Sequence, residues 1–388
     1  MNSYYDFSFV TSRNSEIIFG SGAIKNVSNI LQRYNASRIL IVTDKGVRSA
    51  GLVDKVTNLL KDSMQTIVFD KIEEDPKLPT VTEGVELARD SKTQAIIAIG
   101  GGSVLDAGKC LASVSTNEGE PEDYWFKNKQ FINPKLTYIA IPTTSGTGSE
   151  VTKFSVITHH ETKLKWGIGN PLLIPEVAIL DPDMTVTLPP HITAATGIDA
   201  LTHALESFVN SGANVFTDML AVKAMKLIGE SLRPAVAKGD NIEARSKMLL
   251  GSMLGGMSFG NGYLGLVHAL AHPLGGHYGV PHGVANAVLL PKIMKFNYIG
   301  NMQKYAKVAE ILGENIQGLT LREAAEKSVL AVEKLIEDIN IPLNLKEYNI
   351  DKEAIPALVE EAIKNRNVGI NPRKATFKEL ELIYEQVI

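Results

Sequence analysis

A chain of 388 residues exceeds what one small hydrophobic core organises, so two domains are expected. With 44% hydrophobic residues, 21% charged residues and a formal charge of −4, the composition is that of an ordinary soluble enzyme or binding protein. No basic run marks a nucleic-acid partner. The single cysteine, Cys110, excludes an intramolecular disulfide framework and an all-thiolate metal site, and it suits a reducing cytoplasm. The opening stretch, Met1 to Phe7, lacks a basic segment followed by an apolar run, and no apolar stretch approaches ~18 residues. Neither a signal peptide nor a membrane span is expected.

In chain order, residues 38–43, 66–69, 95–99, 136–141 and 177–180 are short runs rich in β-branched side chains and closed by Gly, Asp or Pro, as strands are. Helical spacing of Ala, Leu, Val and Ile fills 22–34, 47–62, 80–90 and 103–114 between them. This alternation predicts a doubly wound, mostly parallel sheet with helices on both faces. The texture changes after Asp181-Pro-Asp183 and Leu188-Pro-Pro190. Residues 193–210, 216–237, 242–259, 266–278, 302–312, 321–339 and 352–363 read as helices, with no strand among them. The expected division is an α/β domain over 1–188 and an all-helical domain over 189–388.

The strand at 95–99 runs into Gly100-Gly-Gly-Ser103, and a helix carrying Asp106 and Lys109 follows. Glycines allow close backbone approach, and a helix start offers free N–H groups and a positive dipole end. Such a turn suits a pyrophosphate, with Gly101, Gly102, Ser103 and Asp106 as candidate contacts. Thr143-Thr-Ser-Gly-Thr-Gly-Ser149 follows the strand at 136–141 in the same position. Two such loops at strand carboxyl ends make a dinucleotide crevice the favoured reading. Asp44, at a third strand end, would accept hydrogen bonds from a ribose and repel a 2′-phosphate, which favours NAD over NADP. The competing reading of Asp44 is a helix cap.

The helical half holds Asp199 and His203 at i, i+4, then His268 and His272 at i, i+4, then His282 in Pro281-His-Gly283. The apolar neighbours of each pair point to buried helices, where an unpaired polar side chain costs about 1–3 kcal/mol. A divalent cation would satisfy these groups. One carboxylate with several imidazoles suits Fe²⁺, Zn²⁺, Co²⁺ or Ni²⁺, and spacing alone leaves open which of the five bind. His159, His160 and His191 read as surface residues.

Taken together, these motifs resemble the iron-containing (group III) alcohol dehydrogenase family. The resemblance runs from Phe19-Gly-Ser-Gly22 through Gly100 to Lys109, Pro142 to Glu150, Ala195 to Glu206 and His268 to Gly275. It continues through Pro281 to Asn286 and Asn371-Pro-Arg373. It implies a Rossmann-like α/β domain and a helical domain with the site in the cleft between them. By position it implies a metal site of Asp199, His203, His268 and His282, with ferrous iron or in some relatives zinc, and His272 as a non-ligand beside the nicotinamide. It also implies NAD(P) on Gly102, Ser103, Thr143, Thr144, Thr147 and, within Lys163-Leu-Lys165, on Lys165. Where relatives often carry Asn-Pro, this chain has Asp75-Pro76, which can accept from a cofactor but not donate.

The implied activity is NAD-linked hydride transfer between a short primary alcohol or diol and nicotinamide, with the alkoxide on Fe²⁺ and the reverse reduction of an aldehyde. Thr152, Val156, Phe259 and Tyr263 are candidate pocket residues. Relatives commonly form dimers or larger homo-oligomers, and no nucleic-acid or membrane partner is implied. Two alternatives remain: a zinc enzyme like glycerol dehydrogenase or dehydroquinate synthase on the same fold, and a non-enzymatic metal- or nucleotide-binding module.

Overall fold

The computed structural model describes residues 15–162 and 165–388. Met1 to Phe7, as well as Lys163 and Leu164 of the lysine motif, lie outside them. Residues 15–144 and 148–188 form one compact unit, and 145–147 with 189–388 form a second. Three loop residues thus pack with the helices, which a single cut at 188 does not anticipate.

The first unit is built on a six-stranded sheet in the order β1-β8-β5-β4-β2-β3, every pairing parallel. Its strands are β1 (Glu16–Phe19), β2 (Arg38–Val42), β3 (Gln65–Phe69), β4 (Ala95–Gly100), β5 (Thr137–Pro142) and β8 (Val177–Leu180). The antiparallel pair β6 (Phe154–Thr158) and β7 (Lys165–Gly169) forms a separate small sheet. Helices α1 (Val27–Arg33), α2 (Lys45–Ser49), α3 (Leu52–Leu60), α4 (Leu78–Asp90), α5 (Gly102–Val114) and α6 (Pro121–Trp125) complete the unit.

Central strands covered on both faces must be apolar on both, and β4, β5 and β8 are almost wholly buried. Their side chains alternate between two cores. Leu40, Val42, Ile96, Ala98 and Ala140 join one core with residues of α4 and α5. Ile39, Ile41, Ile97, Ile99, Ile139 and Ile141 join the other with α1 and α3. Cys110 is fully buried in the first core, and burial pushes its thiol well above the ordinary cysteine range.

The chain leaves β2 for β3 on one side, then crosses to place β4 on the other side of β2, so strand order reverses between β2 and β4. Ligands of open parallel sheets collect outside the strand carboxyl ends at such a reversal. Thr43 spans it, its hydroxyl donating to the Ile99 carbonyl at 2.8 Å.

The second unit is helical: α7 (Pro190–Val209), α8 (Val215–Ala237), α9 (Ile242–Gly262), α10 (Leu266–Tyr278), α11 (His282–Asn297), α12 (Met302–Ile311), α13 (Leu321–Asp338), α14 (Ile355–Ala362) and α15 (Phe377–Glu385). They share one core. Helix α7 is its centre, buried without interruption from Gly197 to Val209, so any polar side chain there needs a partner. Among the described residues no helix is long and apolar enough to cross a membrane.

Candidate metal centre and dinucleotide turns

On α7, Asp199, His203 and Glu206 stand at spacings of four and three and therefore share one face. Helix α10 brings His268 against it, and the start of α11 brings His282 and, one turn later, Asn286. Asp199, His268 and His282 each offer a ligand atom, and the three atoms lie within 4.8 Å of one another. Nε2 of His268 is 3.5 Å and Nε2 of His282 is 3.6 Å from Asp199 Oδ1. His203 stands beside this group, its Nδ1 3.8 Å from Asp199 Oδ2, and its ring stacks on His268 and Phe259, both at 4.5 Å.

The electrostatics follow from burial and neighbours. Burial pushes the Asp199 carboxyl up, but the combined pull of His203, His268 and His282 overrides it and holds the group well below the usual carboxylate range. Burial drives His203 down to about 4, so its ring is neutral at pH 7. For His268, burial is outweighed by hydrogen bonds to Asp199 and Glu206, which raise it to about 9.

The donor set fits a divalent cation. The Asn286 amide nitrogen sits 2.7 Å from Asp199 Oδ1, 3.3 Å from His268 Nε2 and 3.2 Å from His282 Nε2, so a carboxylate oxygen and two imidazole nitrogens converge on one small region. Its own Oδ1 is buried without a hydrogen-bond partner. An anionic oxygen and imidazole nitrogens aimed at one point form a borderline-soft set, as Fe²⁺ and Zn²⁺ prefer.

His272 falls outside the cluster. Its side chain is exposed, its ring lies 5.7 Å from that of His282, and its Nδ1 is 3.4 Å from the Asn365 amide nitrogen. Phe259 and Tyr263 succeed each other by one turn at the end of α9, with Arg366 over the Tyr263 ring at 5.1 Å. Tyr263 adopts φ of 65°, a strained value for an aromatic residue.

In the α/β unit the two glycine turns are neighbours, with the Thr143 amide donating to the Gly100 carbonyl at 3.0 Å. Gly101, Gly102, Ser103, Thr144 and Thr147 are half-buried, and Thr143 is buried. The Asp75 amide donates to Ser103 Oγ at 3.2 Å, and Lys165 Nζ on β7 pairs with Asp75 Oδ2 at 2.7 Å. Ser103, Asp75 and Lys165 therefore meet at one corner. Asp44 caps α2, its Oδ1 accepting from the Val47 amide at 2.8 Å.

Asp106 is occupied within the unit: it accepts from Ser149 Oγ at 2.6 Å, the Val156 amide at 2.9 Å and Lys109 Nζ at 3.4 Å. Thr152 is likewise buried, 3.3 Å from Lys109 Nζ. Val156 lies half-exposed on β6.

Three residues of the metal-centre neighbourhood escape a reading based on histidines. Glu206 is signalled only by completing the polar stripe of α7, and Asn286 only by its i, i+4 relation to His282. Gly146, whose carbonyl lies 3.3 Å from His203 Nδ1, leaves no local signal.

The chain thus carries paired glycine turns in its α/β unit and a buried carboxylate among imidazoles in its helical unit, the features expected of a metal-dependent dehydrogenase. The comparisons agree. Residues 14–182 match the model of the iron-containing alcohol dehydrogenases, and residues 193–388 match that of the Fe-containing alcohol dehydrogenase family, C-terminal. The 1,3-propanediol dehydrogenase of Klebsiella pneumoniae is 42% identical over 371 residues, covering 95% of this chain and 96% of that protein. The NAD-dependent methanol dehydrogenase of Bacillus methanolicus is 38% identical over 372 residues, covering 96% and 97%. Among solved structures, a 1,3-propanediol oxidoreductase superposes with a TM-score of 0.94 at 40% identity, covering 98% of this chain and all of that one. The chain belongs to the iron-containing alcohol dehydrogenase family and is an oxidoreductase of the alcohol dehydrogenase class.

Proposed function

We propose that this enzyme interconverts short primary alcohols or diols and their aldehydes with NAD(H), using a divalent cation, Fe²⁺, held by Asp199, His203, His268 and His282. The observation that carries this reading is the convergence of Asp199, His268 and His282 on one region around an ionised carboxylate. When bound, the cation supplies Lewis acidity toward an alcohol oxygen and the nicotinamide supplies a hydride acceptor.

The chain's own residues do the rest. Asp199 contributes the charge that keeps a cation in a buried site, and the rings of His203 and His268 pack against each other so that neither can swing away. Phe259, stacked on His203, closes one side against water. His272, exposed next to His282, is placed to take the hydroxyl proton as general base and pass it to solvent.

Gly101, Gly102 and Ser103 present the N-terminus of α5 to the pyrophosphate, with Thr143, Thr144 and Thr147 on the turn that follows β5. Lys165 adds a positive charge at the Asp75 corner, and Asp44 faces the adenosine ribose and disfavours NADP. Asp106 acts from behind the turn, tying α5 to β6. The relatives named above, a propanediol and an NAD-dependent methanol dehydrogenase, support a short substrate and NAD.

The test is metal analysis after anaerobic purification, with an assay of C2–C4 alcohols, diols and aldehydes against NAD(H) and NADP(H) with added Fe²⁺ or Zn²⁺. His268→Ala and His282→Ala are each expected to lose metal and activity together. Full activity in metal-free His268→Ala protein would overturn the reading, and zinc as the activating resident metal would transfer it to the zinc-dependent branch of the fold.

A further inference from the structure

Glu206 is a carboxylate in the core of the helical unit, 3% exposed, and no step of the proposed reaction uses it. Its two oxygens have different partners on α10. Oε1 accepts from the Val267 amide at 2.6 Å, and Oε2 lies 2.6 Å from His268 Nδ1. Gly265, just ahead of α10, makes the approach possible, because a Cβ there would stand 2.8 Å from Oε1. The other nitrogen of the same ring, Nε2, faces Asp199 Oδ1 at 3.5 Å.

We infer that Glu206 is the positioning residue of the metal centre: it holds the His268 proton on Nδ1 and so aims the Nε2 lone pair at the cation. The inference rests on the metal-binding reading given above and assigns a role to a residue outside the ligand set. The Glu206 oxygen 2.6 Å from Nδ1 is the acceptor of that contact, so Nδ1 keeps its proton, and the nitrogen that must be bare to meet a cation is Nε2. A carboxylate behind a ligating histidine also fixes the ring's rotation and raises its basicity.

The Val267 amide makes the arrangement selective. A backbone N–H cannot turn, so it always requires an oxygen at the Oε1 position. In Glu206→Gln the amide oxygen must satisfy that N–H, which leaves the NH₂ group facing His268 Nδ1. Two donors cannot face each other, so the ring proton moves to Nε2, where the cation has to bind. The substitution keeps volume and shape and reverses the tautomer.

A cavity of about 10 Å³ behind Glu206, lined in part by Asn210, Asn297, Tyr305 and Asn371, has room for roughly one water.

The experiment compares wild type, Glu206→Gln and His268→Ala. Each protein is stripped with a chelator, its thermal midpoint is measured, and it is titrated with Co²⁺ against a chromophoric chelator. The expected result is a Co²⁺ affinity about 10- to 100-fold weaker in Glu206→Gln, with the metal-free thermal midpoint close to wild type and a changed Co²⁺ ligand-field spectrum. The ring ¹⁵N spectrum of the Zn²⁺-loaded wild type is expected to show His268 protonated on Nδ1 and metal-bound through Nε2. Unchanged affinity in a folded Glu206→Gln protein, or Zn²⁺ on Nδ1 of His268, overturns the inference. The ¹⁵N measurement decides it even where the variant does not fold. Wild type that binds neither Co²⁺ nor Zn²⁺ refutes the metal site itself, an outcome distinct from a wild type that binds and a variant that binds equally well.

Discussion

The carbonyl oxygen of Gly146 stands 3.3 Å from Nδ1 of His203, although the two lie 57 positions apart in the chain. A carbonyl only accepts, so this contact puts the His203 proton on Nδ1 and leaves Nε2 as its acceptor. Gly146 does for His203, with a backbone oxygen, what a side chain does for His268.

Gly146 is also tightly enclosed. A Cβ at this position would come to 2.9 Å from Thr196 Cβ and 3.2 Å from the Thr196 carbonyl oxygen. Gly146→Ala is expected to displace the loop, cost about 1–3 kcal/mol of stability, and weaken Co²⁺ binding about tenfold through His203. Thermal melts and chelator-competition titration check both.

His272 and His282 are neighbours with different assignments. His272→Ala is expected to keep its full metal content while kcat falls about 10²- to 10⁴-fold. His282→Ala is expected to lose the metal as well. Elemental analysis beside steady-state kinetics separates the two, and metal loss in His272→Ala would contradict its assignment.

Asp44 caps α2 and is the residue proposed above to meet the adenosine ribose. Asp44→Ser keeps a capping oxygen and removes the charge. It is expected to leave stability nearly unchanged while shifting the ratio of kcat/KM for NADP over NAD upward by about tenfold or more, by removing repulsion of the 2′-phosphate. Measuring both cofactors with one alcohol checks this.

Lys165 reaches Asp75 from β7 at 2.7 Å with only 14% of its side chain exposed. Lys165→Ala is expected to raise KM for NAD by about tenfold with a smaller effect on kcat, since it removes binding rather than chemistry. Initial rates at varied NAD and saturating alcohol are the check.

Glu150 gives the stability a pH dependence. The group is buried with an unpartnered Oε1, and burial raises its pKa from the ordinary 4.5 to about 7. An acid with a raised folded pKa keeps its proton in the folded state after the unfolded chain has lost it. The Glu150 contribution to stability is therefore fully present below pH 4.5 and is lost as pH rises toward 7, by at most about 3 kcal/mol. Glu150→Gln is expected to flatten that fall and to melt higher than wild type at pH 8 but not at pH 4.5. Denaturant melts across this range test the sign.

Much of this arrangement is legible in the residues, and the gaps have physical causes. Five sheet strands and the long helices on either side of the glycine turns follow from hydrophobic spacing, and α10 matches it at both ends. Strand β1 escapes because four residues at a sheet edge carry little periodicity, and β6 and β7 because a half-exposed pair mixes small and polar residues. Helix α11 escapes because a Pro-His-Gly start and an internal Pro291 mask a helical run held by tertiary packing. The i, i+4 pairs bring out the carboxylate and imidazoles, but which backbone and side-chain groups fix their tautomers depends on contacts such as Gly146 with His203. Those contacts have no sequence period to betray them.

Cys110, the one sulfhydryl in the chain, is sealed in the α/β core with its thiolate form strongly disfavoured. To maleimides, iodoacetamide and spin-label reagents the native protein therefore offers no reactive partner. A single cysteine introduced on the surface becomes the sole thiol attachment point for a probe, without first replacing a native residue.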